Sequence, residues 1–287
     1  MTTPPSTLAS GGRQPPDPAP HAVTAERTIP QLFDLTGRVV LLTGGCGHLG
    51  GAMCRALAEA GAHVVLTSRE AEKAQAFAET LPVRGEQRHH GIALDHMDAA
   101  SIEAGFETAV ACHGRIDILV NNAHDPLGLD WTKVTPEAFT KHLANATGYF
   151  SLARLLREHA VARSRPASIV LLGSMYGLVA SYPETYQGIC GASPVAYHAL
   201  KGGIVHMTRH LAVYWAKDNV RVNCLSPGPF PSEKAPAELV TRLRDKSPMG
   251  RMGTPEELNG AVVVLASDAS SYLTGQNLVI DGGWTSW

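Results

Sequence analysis

Residues 39–50 read Val-Val-Leu-Leu-Thr-Gly-Gly-Cys-Gly-His-Leu-Gly, an apolar run, a glycine-rich turn and the start of a helix-period segment. A short apolar run bounded by glycine fits a strand buried on both faces. Glycines let the chain turn tightly and bring its backbone close to a ligand. A helix beginning there points unpaired N–H groups and a partial positive charge at the turn. Alone, such a loop is an ordinary strand-to-helix connection. On the first strand of a parallel sheet it becomes a pyrophosphate cradle built from Gly44, Gly47, His48, Leu49 and Gly50.

The flanking sequence predicts that sheet. Apolar runs recur at Arg38–Leu42, His63–Thr67, Gly91–Leu94, Ile116–Asn121, Ala167–Leu172, Val220–Leu225 and Asn277–Ile280. Helix-period stretches fall near Leu49–Ala60, Glu70–Thr80, Ala99–Cys112, Pro136–His159, Ala196–Lys217 and Pro255–Ala266. This alternation predicts an α/β chain, a single doubly wound parallel-sheet Rossmann domain over residues 34–287. No Pro/Gly-rich linker or repeat divides it. Ligands of such sheets sit beyond the carboxyl ends of the strands. The loops after Leu42, Thr67, Leu94, Asn121, Leu172 and Leu225 are therefore the ones to read.

Composition narrows the function. The 287 residues are 44% hydrophobic and 17% charged with a formal net charge of −2. No basic block is present, so no nucleic-acid partner is expected. Five scattered cysteines without a CxxC pair suggest reduced thiols and a cytoplasmic location. The thirteen histidines include no HExxH, and His89-His90 has no acidic or cysteine company, so no metal is expected. Residues 1–33 are rich in Pro, Ser, Thr and Ala and read as a flexible tail. No apolar stretch resembles a signal peptide or a membrane span.

The second run ends Leu66-Thr67-Ser68-Arg69. NAD sites usually place a carboxylate there for the ribose 2′-hydroxyl. An Arg with hydroxyl neighbours suits a 2′-phosphate instead, so Ser68 and Arg69 point to NADP over NAD. Asp95 could hold an adenine amino group, and Asn122-Ala123 could close the floor beside the adenosine ribose.

Tyr197 and Lys201 stand four apart at the start of a helix, hence on one face. A tyrosine hydroxyl with its ordinary pKa near 10 exchanges protons poorly at neutrality, and a neighbouring ammonium would favour the phenolate. Tyr197 then serves as general acid in reduction and base in oxidation. Ser174, at the end of the fifth run, can hydrogen-bond a substrate oxygen as charge develops. Asn145, inside a long helix, could tie Lys201 to water.

Taken in order, Thr43–Gly50, Asn121–Ala123, Asn145, Ser174, Tyr197/Lys201, Asn223…Pro227-Gly228 and Asp281-Gly282-Gly283 resemble a classical short-chain dehydrogenase/reductase from about Leu35 onward. The resemblance implies an Asn-Ser-Tyr-Lys tetrad of Asn145, Ser174, Tyr197 and Lys201. It also implies that Lys201 grips the nicotinamide ribose and that Pro227 and Gly228 border the carboxamide. The implied reaction interconverts a secondary alcohol and a ketone by hydride transfer, with a small-molecule carbonyl or alcohol as partner. A non-catalytic NADP(H)-binding sensor or scaffold is the rival reading.

The departures are specific. His48 and His124 stand where the family usually has glycine. The Gly44…Gly47…Gly50 spacing also matches the extended branch, whose larger C-terminal substrate domain this chain is too short to hold. Ser174 and Tyr197 are unusually far apart, and the extra segment, roughly Ser181–Ser193, should form a lip beside the substrate. With Pro229-Phe230-Pro231 it is similar to the insertion of gluconate 5-dehydrogenase-like members, implying a polyol or sugar acid. Apolar residues on the helices after Asn122 and Ser174 (Phe150, Leu152, Leu155, Leu156; Ile204, Met207, Leu211, Val213, Tyr214, Trp215) exceed one stripe. In the family those helices pair across two-fold axes, implying a homotetramer.

Overall fold

A computed structural model describes residues 26–286. Residues 1–25 of the expected tail, and Trp287, lie outside the described residues. Among these residues seven strands form one sheet: β1 (Val39–Leu42), β2 (His63–Ser68), β3 (His90–Ala93), β4 (Ile118–Asn121), β5 (Ala167–Leu172), β6 (Val220–Pro227) and β7 (Asn277–Ile280). Their order is β3-β2-β1-β4-β5-β6-β7, and every pairing is parallel. The order reverses between β1 and β4, which opens a crevice beyond their carboxyl ends.

Among the described residues nine α-helices accompany them: α1 (Ile29–Phe33), α2 (His48–Glu59), α3 (Ala71–Ala78), α4 (Ala99–His113), α5 (Pro136–Ala162), α6 (Pro183–Tyr186), α7 (Val195–Trp215), α8 (Ala237–Arg244) and α9 (Asn259–Ala266). Alternate residues of each strand feed two cores. Val39, Leu41, Ile169 and Leu171 pack with Phe106 of α4, Leu152 and Leu156 of α5, and Ile204 and Leu211 of α7. Val40, Leu42, Val170 and Leu172 pack with Met53 and Leu57 of α2, Ala74 of α3, and Val262 of α9. The sheet is covered on both sides, which is why its strands read as unbroken apolar runs. Truncating one of these fully buried leucines to alanine costs about 2–5 kcal/mol.

Three helices depart from the expected pattern. Helix α1 lies inside the segment read as tail: Thr28 and Gln31 form a capping box, and Pro30 occupies the first turn. Arg27 just before it pairs with Asp268 at 2.5 Å. Helices α6 and α8 lie in stretches where the sequence predicted no helix, since four and eight residues are too few for a periodic signal. The segment 255–266 is not one helix, because a 3₁₀ turn over Pro255–Leu258 leads into α9. The apolar surplus expected on α5 and α7 is smaller than the sequence implied. Leu152, Leu156, Ile204 and Leu211 are buried in the core, while Phe150, Val213 and Tyr214 stay exposed. Among the described residues no helix is long and apolar enough to cross a membrane.

Candidate active site

The carboxyl ends of β1, β2, β4, β5 and β6 and the loop after β3 line one cleft of about 850 Å³. Gly44, Gly47, His48, Leu49 and Gly50 form one wall. Gly44 has φ +67°, a left-handed conformation that glycine adopts without strain. A Cβ on Gly50 would strike the Gly44 carbonyl and the Asn122 amide. Gly47 caps α2 with no side-chain hydrogen bond, so the first-turn amides remain free for an anion. That cradle, closed to side chains and rich in donors, fits a pyrophosphate. Thr43 fixes it to β4: its hydroxyl accepts from the Asn122 and Ala123 amides at 2.9 and 3.0 Å, and the Asn122 side chain donates to the Thr43 carbonyl at 3.0 Å.

At one end of the cleft stand Ser68, Arg69 and Asp95, joined by Lys73, which sequence reading missed. Lys73 lies four residues after Arg69, in the first turn of α3, close enough in sequence to have been considered with it. Both cations are exposed. Asp95 holds its own loop, accepting from the Met97 amide at 2.9 Å.

At the other end lie Ser174, Tyr197, Lys201, Pro227 and Gly228. Ser174 follows β5 and accepts from the Tyr176 amide at 3.1 Å. Lys201 is 4% exposed, and its ammonium donates to the Leu172 carbonyl at 2.8 Å. It lies 5.6 Å from the Tyr197 ring centre and 5.7 Å from that of Tyr149.

The electrostatics differ from expectation. Burial pushes the Tyr197 phenol above its ordinary value, and a hydrogen bond with Ser174 pulls only partly the other way. Burial also lowers Lys201 to about 8. Both groups lose hydration in the same pocket, and the ammonium lies over the ring face rather than at the phenol oxygen. The cost of desolvation therefore outweighs their attraction.

Asn145 is held by four hydrogen bonds of its side chain. It is fully buried, and its carbonyl oxygen accepts from the His96 ring at 2.7 Å and the Asp125 amide at 2.8 Å. Its NH₂ donates to the carbonyls of His142 at 2.8 Å and Asp125 at 3.2 Å. No direct bond joins it to Lys201, whose hydrogen bond goes to Leu172 instead. His96 was not singled out from the sequence, because only the tertiary fold brings it to Asn145; His142 was missed although it lies one turn before Asn145 on α5. Two more imidazole contacts line the floor: His124 meets Tyr197 edge-on at 5.4 Å between ring centres, and His142 at 5.1 Å.

The 181–193 segment, expected as a lip, contains α6, and none of its residues lines the cleft. The Tyr186 and Tyr176 hydroxyls bond at 2.6 Å, and the Tyr176 ring stacks on His198. Glu184 pairs with Lys246 at 2.7 Å, and Arg242 of α8 donates to the Glu184 and Gln187 carbonyls at 3.1 and 2.7 Å.

Comparison with known proteins agrees with this geometry. Residues 47–285 match the family model described as enoyl-(acyl carrier protein) reductase. The chain is 36% identical over 269 residues to galactitol 2-dehydrogenase (L-tagatose-forming) of Cereibacter sphaeroides, covering 89% of this chain and 98% of the relative. It is 32% identical over 277 residues to D-arabinitol 2-dehydrogenase (ribulose-forming) of Candida tropicalis, covering 89% and 95%. The structure of a gluconate 5-dehydrogenase from Burkholderia cenocepacia, in complex with NADP and tartrate, superimposes with a TM-score of 0.79 at 30% identity, covering 90% of this chain and 99% of that one. The chain belongs to the classical short-chain dehydrogenase/reductase family and is an NAD(P)-dependent oxidoreductase of the alcohol–ketone type.

Proposed function

We propose that this oxidoreductase uses NADP, acts on a polyol or sugar acid, and transfers protons through Tyr197. The observation that carries the reading is one cleft with Ser174, Tyr197 and Lys201 at one end and Arg69 and Lys73 at the other. A 2′-phosphate would meet the two cations, with Ser68 as a hydroxyl donor. The adenosine would lie between Asp95 and Asn122-Ala123, and the carboxamide beside Pro227-Gly228.

A nicotinamide held in this cleft would supply or accept the hydride at the reacting carbon. Ser174 donates a hydrogen bond to the substrate oxygen. Tyr197 passes its phenol proton to that oxygen in reduction and takes it back in oxidation. Its raised pKa keeps it protonated at neutrality, the form reduction needs. Lys201 would grip the nicotinamide ribose. Asn145 holds the loop carrying His124 and Asp125 against α5 through its two bonds to Asp125.

The relatives named for galactitol and D-arabinitol, and the neighbour named for gluconate, support a polyhydroxy substrate. We further place the enzyme in the cytoplasm, on its free thiols, and assign it a homotetramer, on the exposed Phe150, Val213 and Tyr214. NADPH oxidation followed over a panel of hydroxyketones and sugar acids tests the reading. A protein that binds NADPH yet turns over none of them is a sensor or scaffold.

A further inference from the structure

We propose that His124 binds a sugar-type hydroxyl beside Tyr197. Its backbone is ordinary: the only non-glycine residues with positive φ among the described residues are Ser164 and Asn219. The position therefore does not demand glycine, and a histidine here serves its side chain. That side chain lines the cleft with Ser174, Tyr197 and Lys201. Its ring stands edge-on to Tyr197, with centres 5.4 Å apart and planes at 76°, and perpendicular to His142 at 5.1 Å.

The imidazole layer against Tyr197 has hydrogen-bonding capacity that the chain leaves unused. His142 is 3% exposed, and its Nε2 has no partner among the described residues. His124 is influenced by burial and by the charges of Lys201, His142 and His96, with no hydrogen bond contributing. Those influences hold it down to about 3, with burial foremost. It is therefore neutral at working pH and cannot store a proton for Tyr197. A neutral imidazole presents one donor and one acceptor, which matches a hydroxyl that is itself both.

Two hydroxyls can reach a site beside the Tyr197 phenol. One belongs to the nicotinamide ribose. The other lies on the substrate carbon next to the reacting carbinol, and this arm rests on the functional reading above. His124→Phe keeps the aromatic edge against Tyr197 and removes both nitrogens. His124→Gln restores a donor and an acceptor. Each variant is titrated with NADPH by fluorescence and assayed with a hexitol and with cyclohexanol.

If the ribose is the partner, the NADPH dissociation constant rises about tenfold in His124→Phe, the worth of one net hydrogen bond, and His124→Gln largely restores it. If the substrate is the partner, NADPH binding holds and the kcat/KM ratio of hexitol to cyclohexanol falls about tenfold, again restored by Gln. The proposal is overturned if neither quantity moves or if Gln behaves like Phe. A Phe variant that does not fold is replaced by His124→Gly, with the same two readouts. Turnover of neither alcohol by the wild-type enzyme would sink the functional reading, while the NADPH titration would still decide the ribose arm. With NADPH binding also unmoved, both ideas fall.

Discussion

Lys201 sits one helical turn below Tyr197, its ammonium 5.6 Å from the ring centre and bonded to the Leu172 carbonyl rather than to the phenol. The phenol oxygen is left to Ser174 and to a substrate. Tyr197→Phe removes the transferable proton and almost no packing. Turnover should fall about a thousandfold while NADPH affinity stays nearly unchanged. A variant retaining most of its rate would show that the proton comes from another group.

Burial lowers the Lys201 ammonium to about 8, so it is charged below that pH and neutral above it. If the charged form grips the cofactor, NADPH affinity of the free enzyme is flat below about pH 8. It then weakens about tenfold per pH unit above. Lys201→Met should bind more weakly and show no such inflection. A wild-type titration flat to about pH 10 would separate Lys201 from cofactor binding.

Arg69→Asp exchanges a cation for a ribose acceptor at the end of β2. Preference should move toward NAD, measured as the ratio of kcat/KM for the two cofactors. Lys73 remains to hold part of the 2′-phosphate, so Arg69→Asp with Lys73→Ala should shift the ratio further than either change alone. A wild-type enzyme that already prefers NAD would refute the assignment.

Acid should unfold this protein early. His89, His90, His113, His124, His142, His159 and His198 are each held below the ordinary histidine value, with burial the largest cause in every case. His113 drops to about 4 and His124 to about 3. The unfolded chain takes up these protons below about pH 6.5, while the folded chain takes them up only at lower pH. Stability contributed by the neutral imidazoles is thus complete above about pH 6.5 and lost progressively below it. Melting temperature should decline steadily from about pH 7 to about pH 5, by more than one proton's worth of linkage. A flat profile over that window contradicts the burial of these rings.

The sheet was legible because its strands are apolar on both faces and end in glycine, Ser/Thr or amide residues, as at Leu42-Thr43-Gly44 and Val120-Asn121-Asn122. Many residues of the cleft were legible for the same reason, since they follow strand ends, while Tyr197 and Lys201 were legible from their spacing on α7. What stayed hidden depends on distance through space. The bond from His96 to Asn145 joins residues 49 apart in the chain, and no periodicity signals it. Spacing placed Tyr197 beside Lys201 but could not weigh desolvation, which depends on Tyr149, Leu172 and the rest of the surrounding fold. Helix α6, four residues long, has too few turns to leave a pattern.

Assembly is open to direct measurement. Phe150 on α5 and Val213 and Tyr214 on α7 are 38%, 78% and 62% exposed, apolar surface that a monomer would leave in water. Sedimentation at micromolar concentration should give four times the monomer mass. A single species at monomer mass would refute the tetramer.

The bonds that join Glu184 and Gln187 to Arg242 and Lys246 link two segments that leave different strands, β5 and β6. Neither segment contributes to the sheet, and neither carries the groups that handle the proton. The clasp is therefore built apart from the reacting groups. A lineage can lengthen, shorten or recharge that clasp while inheriting the machinery of proton transfer unaltered.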